Sequence, residues 1–194
     1  MGNVQGLQDY LDAEYAKSIF DEAVASGATW EIHHHGHQVL RARITENLIF
    51  EIKADVEGQG EMELSKVQIK CLYPADQSES IRRLIKTDKK VKTRNLEAIL
   101  APGERNHIKN KSMFPLMKDR EVLFFTLLEG EVIRGLIGGF TRYDITINLK
   151  GGIPVTTLRH AVHDLRNKKG RSFLRAFQEE HRDWEKHPLF VADP

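Results

Sequence analysis

Four histidines stand close together in the run His33-His34-His35-Gly36-His37, and histidine is the commonest protein ligand for metal ions. In a β-strand, successive side chains point to opposite faces, so His33 and His35 would share one face and His34 would lie on the other. A zinc site needs three or four ligands that converge from fixed positions. One flat hairpin supplies two at most, so the sequence favours a polar hairpin tip and predicts no metal site.

The rest of the chain offers no catalytic constellation. Cys71 is the only cysteine, and it lies in a predicted strand where nothing in the sequence would stabilise a thiolate. No serine stands in a nucleophile elbow, and neither a phosphate-binding loop nor a dinucleotide fingerprint follows a predicted strand. We therefore predict a binding protein that is not an enzyme and uses no cofactor.

The composition narrows the class of protein further. The chain has 194 residues and a formal net charge of +1, so bulk charge alone does not make it a polyanion binder. A single cysteine excludes an internal disulfide and suits a reducing compartment. No apolar run approaches the ~18 residues of a membrane span, and the N-terminus lacks a signal-peptide pattern. These features predict a soluble cytoplasmic protein with no membrane partner.

Residues 130–166 read as a small, strongly bent antiparallel sheet. Apolar and polar residues alternate around Gly135, and a glycine inside a strand often marks a sharp bend. Gly138-Gly139 and Gly151-Gly152 are predicted to be turns, and residues 143–149 alternate again between them. The stretch ends in a basic pair followed by apolar residues, Leu158-Arg159-His160-Ala161-Val162.

This order of residues resembles the Sm-like family, and in particular its bacterial branch, Hfq. The family's first motif has a mid-strand glycine followed by two aromatics, which here are Gly135, Phe140 and Tyr143. Its second motif is an aromatic residue, then Lys, His, Ala and an aliphatic residue, matched here by residues 158–162. The chain departs from the pattern at Thr141, where Asp is usual, at Leu158, where an aromatic is usual, and in a slightly longer hairpin around Gly151.

The resemblance implies that single-stranded, uridine-rich RNA threads around one face of a ring of such barrels. Carried over to this sequence, the implied RNA-binding residues are Arg142, Tyr143, Arg159 and His160. An aromatic face can stack on any base, a guanidinium attracts phosphate, and a neutral histidine can donate to a carbonyl edge. The alternative is that Tyr143 and His160 only hold a contact between subunits.

Residues 30–72 show the same order of predicted strands and turns as residues 122–165, which indicates an internal duplication. In this alignment residues 48–54 match residues 143–149, and Leu64-Ser65-Lys66-Val67 matches Leu158-Arg159-His160-Ala161. The first copy then lacks the aromatic pair in its middle turn. Two unrelated small β-meanders could also look this similar.

Helical patterns flank both copies. We predict helices over residues 7–26, 77–90, 112–118 and 172–186, the third capped by Ser112 and the last by Ser172. Between residues 82 and 111 stand ten basic side chains against three acidic ones. Such a run can be a solvated linker face or the electrostatic footprint of a nucleic-acid partner.

The predicted fold is mainly β with flanking helices: two strongly bent, five-stranded antiparallel Sm-like barrels, each preceded by a helix, plus a C-terminal helix. The predicted divisions are a divergent Sm-like domain in residues 1–74, a basic helical linker in 75–111, an Hfq-like Sm domain in 112–167 and a C-terminal extension in 168–194. Since an Hfq ring has six barrels, three such chains could close a ring, and a hexamer built from the second copies alone is the competing arrangement.

Two functions from different classes follow. The first is a ring-forming RNA-binding protein that acts in post-transcriptional regulation. The second is a ring-forming scaffold that has lost RNA binding and holds a protein partner through its C-terminal helix. Arg142, Arg159 and the basic linker favour the first, whereas the absent Asp and aromatic residues favour the second.

Overall fold

The N-terminal segment forms two short helices where the sequence pattern predicted one. In the computed structural model, which describes residues 2–192, a short strand is followed by helices that are separated by a break around Ser18. The Ser18 side chain accepts a hydrogen bond of 3.2 Å from the Phe20 amide and so caps the second helix. These elements are β1 (Asn3–Val4), α1 (Leu7–Glu14) and α2 (Ile19–Ser26).

The first half of the protein is a five-stranded antiparallel meander. A short 3₁₀ helix, Lys66–Gln68, separates its fourth strand from its fifth. The helix α2 packs across the second of these strands and buries Ile19, Phe20 and Ala23. The strands are β2 (Thr29–His34), β3 (Gln38–Asn47), β4 (Glu51–Val56), β5 (Gly60–Ser65) and β6 (Ile69–Pro74).

The linker is less helical than its composition suggested. The predicted helix over residues 77–90 ends early, because Ile85 is extended and the next two residues pair with Glu131 and Val132 of the second half. The Asp88 side chain then accepts hydrogen bonds from the amides of Lys90 and Val91 and caps a short helix. The elements are α3 (Ser78–Leu84), β7 (Lys86–Thr87) and α4 (Lys89–Lys92).

The second half again has one helix and five strands, with a 3₁₀ helix at Arg159–Ala161. The helix begins two residues earlier than predicted, so Ser112 is buried inside it instead of capping it, and Pro115 lies beyond the first turn. Gly138-Gly139, predicted to be a turn, lies inside a continuous ten-residue strand. The elements are α5 (Asn110–Lys118), β8 (Leu123–Leu127), β9 (Glu131–Phe140), β10 (Asp144–Asn148), β11 (Pro154–Leu158) and β12 (Val162–Asn167).

The C-terminal segment folds back onto the second half. The predicted helix over residues 172–186 is shorter and broken at Arg182, which has a positive φ of 43°. It comprises α6 (Arg175–His181) and a 3₁₀ turn, Asp183–Lys186, before β13 (Phe190–Val191) pairs with β1. Phe173 and Trp184 are buried in the core of the second half.

One sheet runs through both halves, and it confirms the prediction of a mainly β fold with flanking helices. Its order is β12-β8-β9-β10-β11-β6-β2-β3-β4-β5, so each half places its fifth strand beside its first. The halves meet where β11 pairs with β6, through Thr156 with Leu72 and Thr157 with Cys71. Side chains also cross this junction: Cys71 and Tyr73 pack in the core of the second half, and Leu158 packs in that of the first.

The two halves repeat each other at a constant spacing. Since β3 begins at Gln38 and β9 at Glu131, the offset is 93 residues, and the same offset relates β6 to β12 and the two 3₁₀ helices. The irregularity in strand pairing recurs as well: it falls between Ile44 and Glu46 in β3 and at the matching point of the β9–β10 pair. The halves therefore share strand order, register and a bulge.

The repeated cores are filled differently at one point. A Cβ atom on Gly135 would lie 2.5 Å from the Asn148 carbonyl oxygen and 2.6 Å from Ile147 Cγ2. In the first half the equivalent positions are Ala42 and Ala54, both fully buried. The second half therefore combines the large Ile147 with Gly135, whereas the first half has alanine at both positions.

The outer edge of β12 is already used within the chain. The Phe173 amide donates a hydrogen bond of 2.9 Å to the Leu165 carbonyl, and the Asn167 amide donates one of 3.1 Å to the Arg171 carbonyl. In the first half the equivalent of Leu165 is Leu72, which pairs with β11. The C-terminal segment therefore occupies on β12 the place that β11 occupies on β6.

We expect Gly135→Ala to destabilise the protein by about 1–3 kcal/mol, because the new methyl group is forced against the β10 backbone. Gly103→Ala is the matched control, since a Cβ atom there meets no atom of residues 2–192 within 4 Å, and it should change stability by no more than about 0.5 kcal/mol. Urea unfolding measures both. Equal stability of the two variants would contradict this account of the close contact at Gly135.

Candidate nucleic-acid interface

The loop between β9 and β10 presents an exposed aromatic side chain beside a cation. Tyr143 is 60% exposed, and the Arg142 guanidinium carbon lies 5.4 Å from the centre of its ring. The backbone of the loop is held in place: the Arg142 amide donates to the Tyr15 carbonyl at 3.0 Å, and the Thr141 amide donates to the Asp144 carbonyl at 2.9 Å. The loop therefore displays a positioned ring to solvent.

Arg159 lies beneath this loop and does not face solvent. Its amide donates a hydrogen bond of 2.8 Å to the Tyr143 carbonyl, and its Nη1 donates one of 3.0 Å to Asn110 Oδ1. The guanidinium carbon lies 5.4 Å from the centre of the Phe140 ring and 5.9 Å from that of Tyr15. Burial lowers the pKa of Arg159 to about 10, so the side chain remains a cation at neutral pH.

Two donors of this guanidinium, Nε and Nη2, are buried without a hydrogen-bond partner among residues 2–192. Asp144 lies close enough to contribute an opposing charge, and burial raises the pKa of that carboxyl group. Arg159 thus supports the loop from below, with its positive charge lying over the rings of Phe140 and Tyr15.

His160 lies at the junction of the two halves. Its Nε2 is 3.0 Å from the Ile69 carbonyl oxygen, which can only accept, so this nitrogen carries the proton. Burial lowers the pKa of His160 to about 4. The structure therefore brings Arg142, Tyr143 and Arg159 together, whereas the imidazole of His160 bonds to the first half.

The first half carries the same loop, which the sequence alignment missed. At the offset of 93 residues, Phe50 corresponds to Tyr143 and Lys66 to Arg159. The Lys66 amide donates a hydrogen bond of 2.9 Å to the Phe50 carbonyl, as the Arg159 amide does to Tyr143. Phe50 is 72% exposed, and its neighbour Ile49 is 82% exposed. These two positions add an aromatic and an apolar side chain to the interface.

The predicted alignment failed here because its register was wrong. It matched Leu48 with Tyr143 and Ser65 with Arg159, which are shifts of two residues and one residue from the structural match. Gly58 and Gly151, which have positive φ values of 76° and 88°, would have given the right offset as turn markers. An alignment without gaps from those glycines places Phe50 at the aromatic position.

The β7 and α4 segments of the basic linker lie away from the Tyr143 loop. The β7 strand pairs with β9 at Glu131 and Val132, whereas the Tyr143 loop follows the opposite end of the same strand. The exposed lysines of α4 are Lys89, Lys90 and Lys92. Potential metal ligands, which include His37 and Glu129, lie near the same end of β9. A nucleic acid on the Tyr143 loop would meet the linker only by passing along the protein surface.

Cys71 is fully buried at the junction, and burial raises the pKa of its thiol, which is therefore neutral.

In the described part of the chain, no helix combines the length and apolar character that crossing a membrane requires. Comparisons with protein-family models, with curated proteins and with solved structures find no match for this chain.

The pKa of His160 predicts a loss of stability in acid. Because the folded protein holds this pKa near 4, below the ordinary value of 6.5, the unfolded chain binds the proton more tightly. The contribution to stability is complete above pH 6.5 and falls by up to about 3 kcal/mol as the pH drops to 4. His160→Gln should flatten this slope in urea unfolding curves, whereas His34→Gln should not, and equal slopes would contradict the assignment.

Proposed function

We propose that this protein binds single-stranded RNA in post-transcriptional regulation, as a tandem member of the Sm-like family related to its Hfq branch. The observation that carries the proposal is the repeated loop: each half exposes one aromatic side chain, Tyr143 or Phe50, whose backbone carbonyl accepts a hydrogen bond from the amide of a basic residue. These are the two exposed aromatic side chains in residues 2–192. Two such platforms on one sheet suit a ligand with repeated flat groups.

The fold supports the proposal. In each half the fifth strand lies beside the first, the second strand is long and irregular, and a 3₁₀ helix precedes the fifth strand. Gly135, the residue that resembles the mid-strand glycine of the family's first motif, lies inside the second strand of its half. We propose that each half is one Sm-like barrel.

The chemistry of the loops favours RNA without strict base selection. Stacking of a base on an exposed aromatic ring contributes ~1–3 kcal/mol and tolerates any base. Arg142 adds a cation over the Tyr143 ring, and a phosphate of a strand stacked on the exposed face of the ring could pair with it. Uridine-rich RNA remains the preferred ligand on the family resemblance.

The contacts revise the roles of the two inner residues. Arg159 and His160 were predicted to meet the base, but the Arg159 guanidinium is enclosed by Phe140, Tyr15 and Asn110, and His160 bonds to Ile69. In our proposal Arg142, Tyr143 and Phe50 contact RNA, while Arg159 and His160 hold the loop and the junction beneath them.

A ring requires an additional step. Closure through the outer strands would pair β12 of one chain with β5 of the next, but Leu165 and Asn167 of β12 already bond to residues 171–173. The free edge, β5, carries the exposed charges of Glu61 and Glu63, which discourage pairing with another strand. Three chains could close a ring only after the C-terminal segment leaves β12.

The scaffold function receives less support. It would place a protein partner on the C-terminal helix, yet Phe173 and Trp184 beside that helix are buried in the protein's own core. Gln178 of α6 is also fully buried, and its side chain bonds to Asp183 and to the Ser172 carbonyl. Phe173 and Trp184 are therefore not available to a partner.

We expect Tyr143→Ala and Phe50→Ala each to weaken binding of a fluorescent oligo-uridine by about tenfold, since each removes one stacking platform. Leu100→Ala is the matched control, because Leu100 is 66% exposed but lies on the linker. Titrations at two salt concentrations should also show a shallower salt dependence for Arg142→Ala. Unchanged affinity in all three loop variants rules out the interface, and an oligo-adenosine series tests base preference.

Light scattering tests the assembly. With the C-terminal segment seated on β12, we expect the mass of one 22.3 kDa chain. A mass of three chains, about 67 kDa, or of six chains, about 134 kDa, would mean that the segment leaves β12 or that another surface pairs.

A further inference from the structure

A cavity of about 430 Å³ lies between the two halves, at the opposite end of β9 from the Tyr143 loop. The β2–β3 hairpin forms one wall with His35 and His37, and Glu129 from the β8–β9 turn forms the second. Linker residues, among them Lys92 and Leu96, form the outer wall. Three separate segments of the chain thus converge on one cavity.

Imidazole and carboxylate groups meet on its inner side. His35 Nδ1 lies 3.9 Å from Glu129 Oε1, and His37 Nδ1 lies 3.5 Å from Glu129 Oε2. Donor atoms of His37, Glu129 and Glu131 all lie within 4.8 Å of one another. In a tetrahedral zinc site with bonds of about 2.1 Å, neighbouring ligand atoms are about 3.4 Å apart. Small shifts of these side chains would therefore produce such a site.

The site also contains polar atoms without partners. His35 is 8% exposed, and neither of its ring nitrogens has a hydrogen-bond partner among the described residues. Glu131 Oε2 is likewise buried and unpaired within residues 2–192. Buried polar groups are nearly always satisfied, so three unsatisfied atoms in one place indicate a missing ligand.

The charges favour a cation. Glu129 and Glu131 both pair with the ammonium group of Lys70, which is 1% exposed, so two negative charges share one positive charge. Lys70 contacts Glu129 Oε2 and Glu131 Oε1, and the amides of Gly36 and His37 donate to the two oxygens of Glu129. Glu131 Oε2 is left without a partner among residues 2–192, so an added cation can bind this oxygen without displacing the lysine.

We propose that this cavity binds a divalent transition-metal ion, with zinc the best match, through His37, Glu129 and Glu131, and with the unpaired His35 as a fourth ligand. Mixed imidazole and carboxylate ligands suit zinc and the neighbouring first-row ions, whereas calcium and magnesium require oxygen ligands. The hairpin alone supplies two ligands, as the sequence indicated, and the second half supplies the others. The ion would join the two halves at a point remote from the RNA loops, so this inference does not depend on the proposed function.

Isothermal titration of the metal-free full-length protein with zinc should give one ion per chain. His35→Ala and Glu129→Gln should each weaken binding at least tenfold, whereas the matched control His34→Ala should not, because the His34 ring points elsewhere and contacts a backbone carbonyl. Glu129→Gln separates a built site from adventitious binding by hairpin histidines, since the latter does not need the carboxylate.

A second measurement protects the test against poor folding of a variant. Zinc should raise the melting temperature of the wild-type protein and of His34→Ala, but not of His35→Ala or Glu129→Gln, because only a ligand that binds the native state stabilises it. Cobalt should give the visible absorption of a tetrahedral site in the wild type. A stoichiometry well below one, or equal affinity in wild type and Glu129→Gln, overturns the proposal.

Discussion

The short pairing of β11 with β6 is the contact on which the rest of the structure depends. Two residue pairs join the strands, and the side chains that cross there make each core incomplete without the other half. The side chains of Cys71 and Tyr73, which belong to the first half, pack in the core of the second half, and Leu158 of the second half packs in the core of the first. Burying apolar groups of this size contributes about 1.5–3 kcal/mol each. The halves are therefore held together by shared cores as well as by backbone hydrogen bonds.

Buried charges line the same junction. Glu31 is fully buried and accepts hydrogen bonds from the Tyr73 hydroxyl at 2.5 Å and from Arg82 Nε at 2.8 Å. Lys70 bridges Glu129 and Glu131 across the halves. Removing one partner of a buried pair leaves an uncompensated charge, which costs more than the pair contributes. These charged contacts thus specify how the halves meet, while the apolar crossings supply most of the stabilisation.

The sequence predicted the strands well because their alternation is local. Gly151-Gly152 marked a turn and the single Cys71 was placed in a strand, whereas Gly138-Gly139, predicted to be a turn, lies inside β9. Long-range contacts could not be predicted in this way. The C-terminal segment on β12 depends on hydrogen bonds of Phe173 and Arg171 that no periodicity signals.

The candidate sites show the same limit. Arg142 and Tyr143 lie in one loop, as their adjacency in sequence required, but burial of Arg159 and His160 follows from packing against Phe140 and Ile69. The Phe50 loop was missed through an alignment error of two residues. The group of potential metal ligands around His37 was missed because its carboxylates come from the other half of the chain.

The exchange of Ala42 and Ala54 in one half for Gly135 and Ile147 in the other makes the halves non-interchangeable. Grafting the β10 sequence into the first half would set an isoleucine against the methyl group of Ala42, and the reverse graft would leave a void beside Gly135. The first graft would destabilise the core by overpacking, and the second would destabilise it by creating a cavity. The two positions must change together, so a chimera that respects every strand boundary would still fail unless it transfers both residues of the pair.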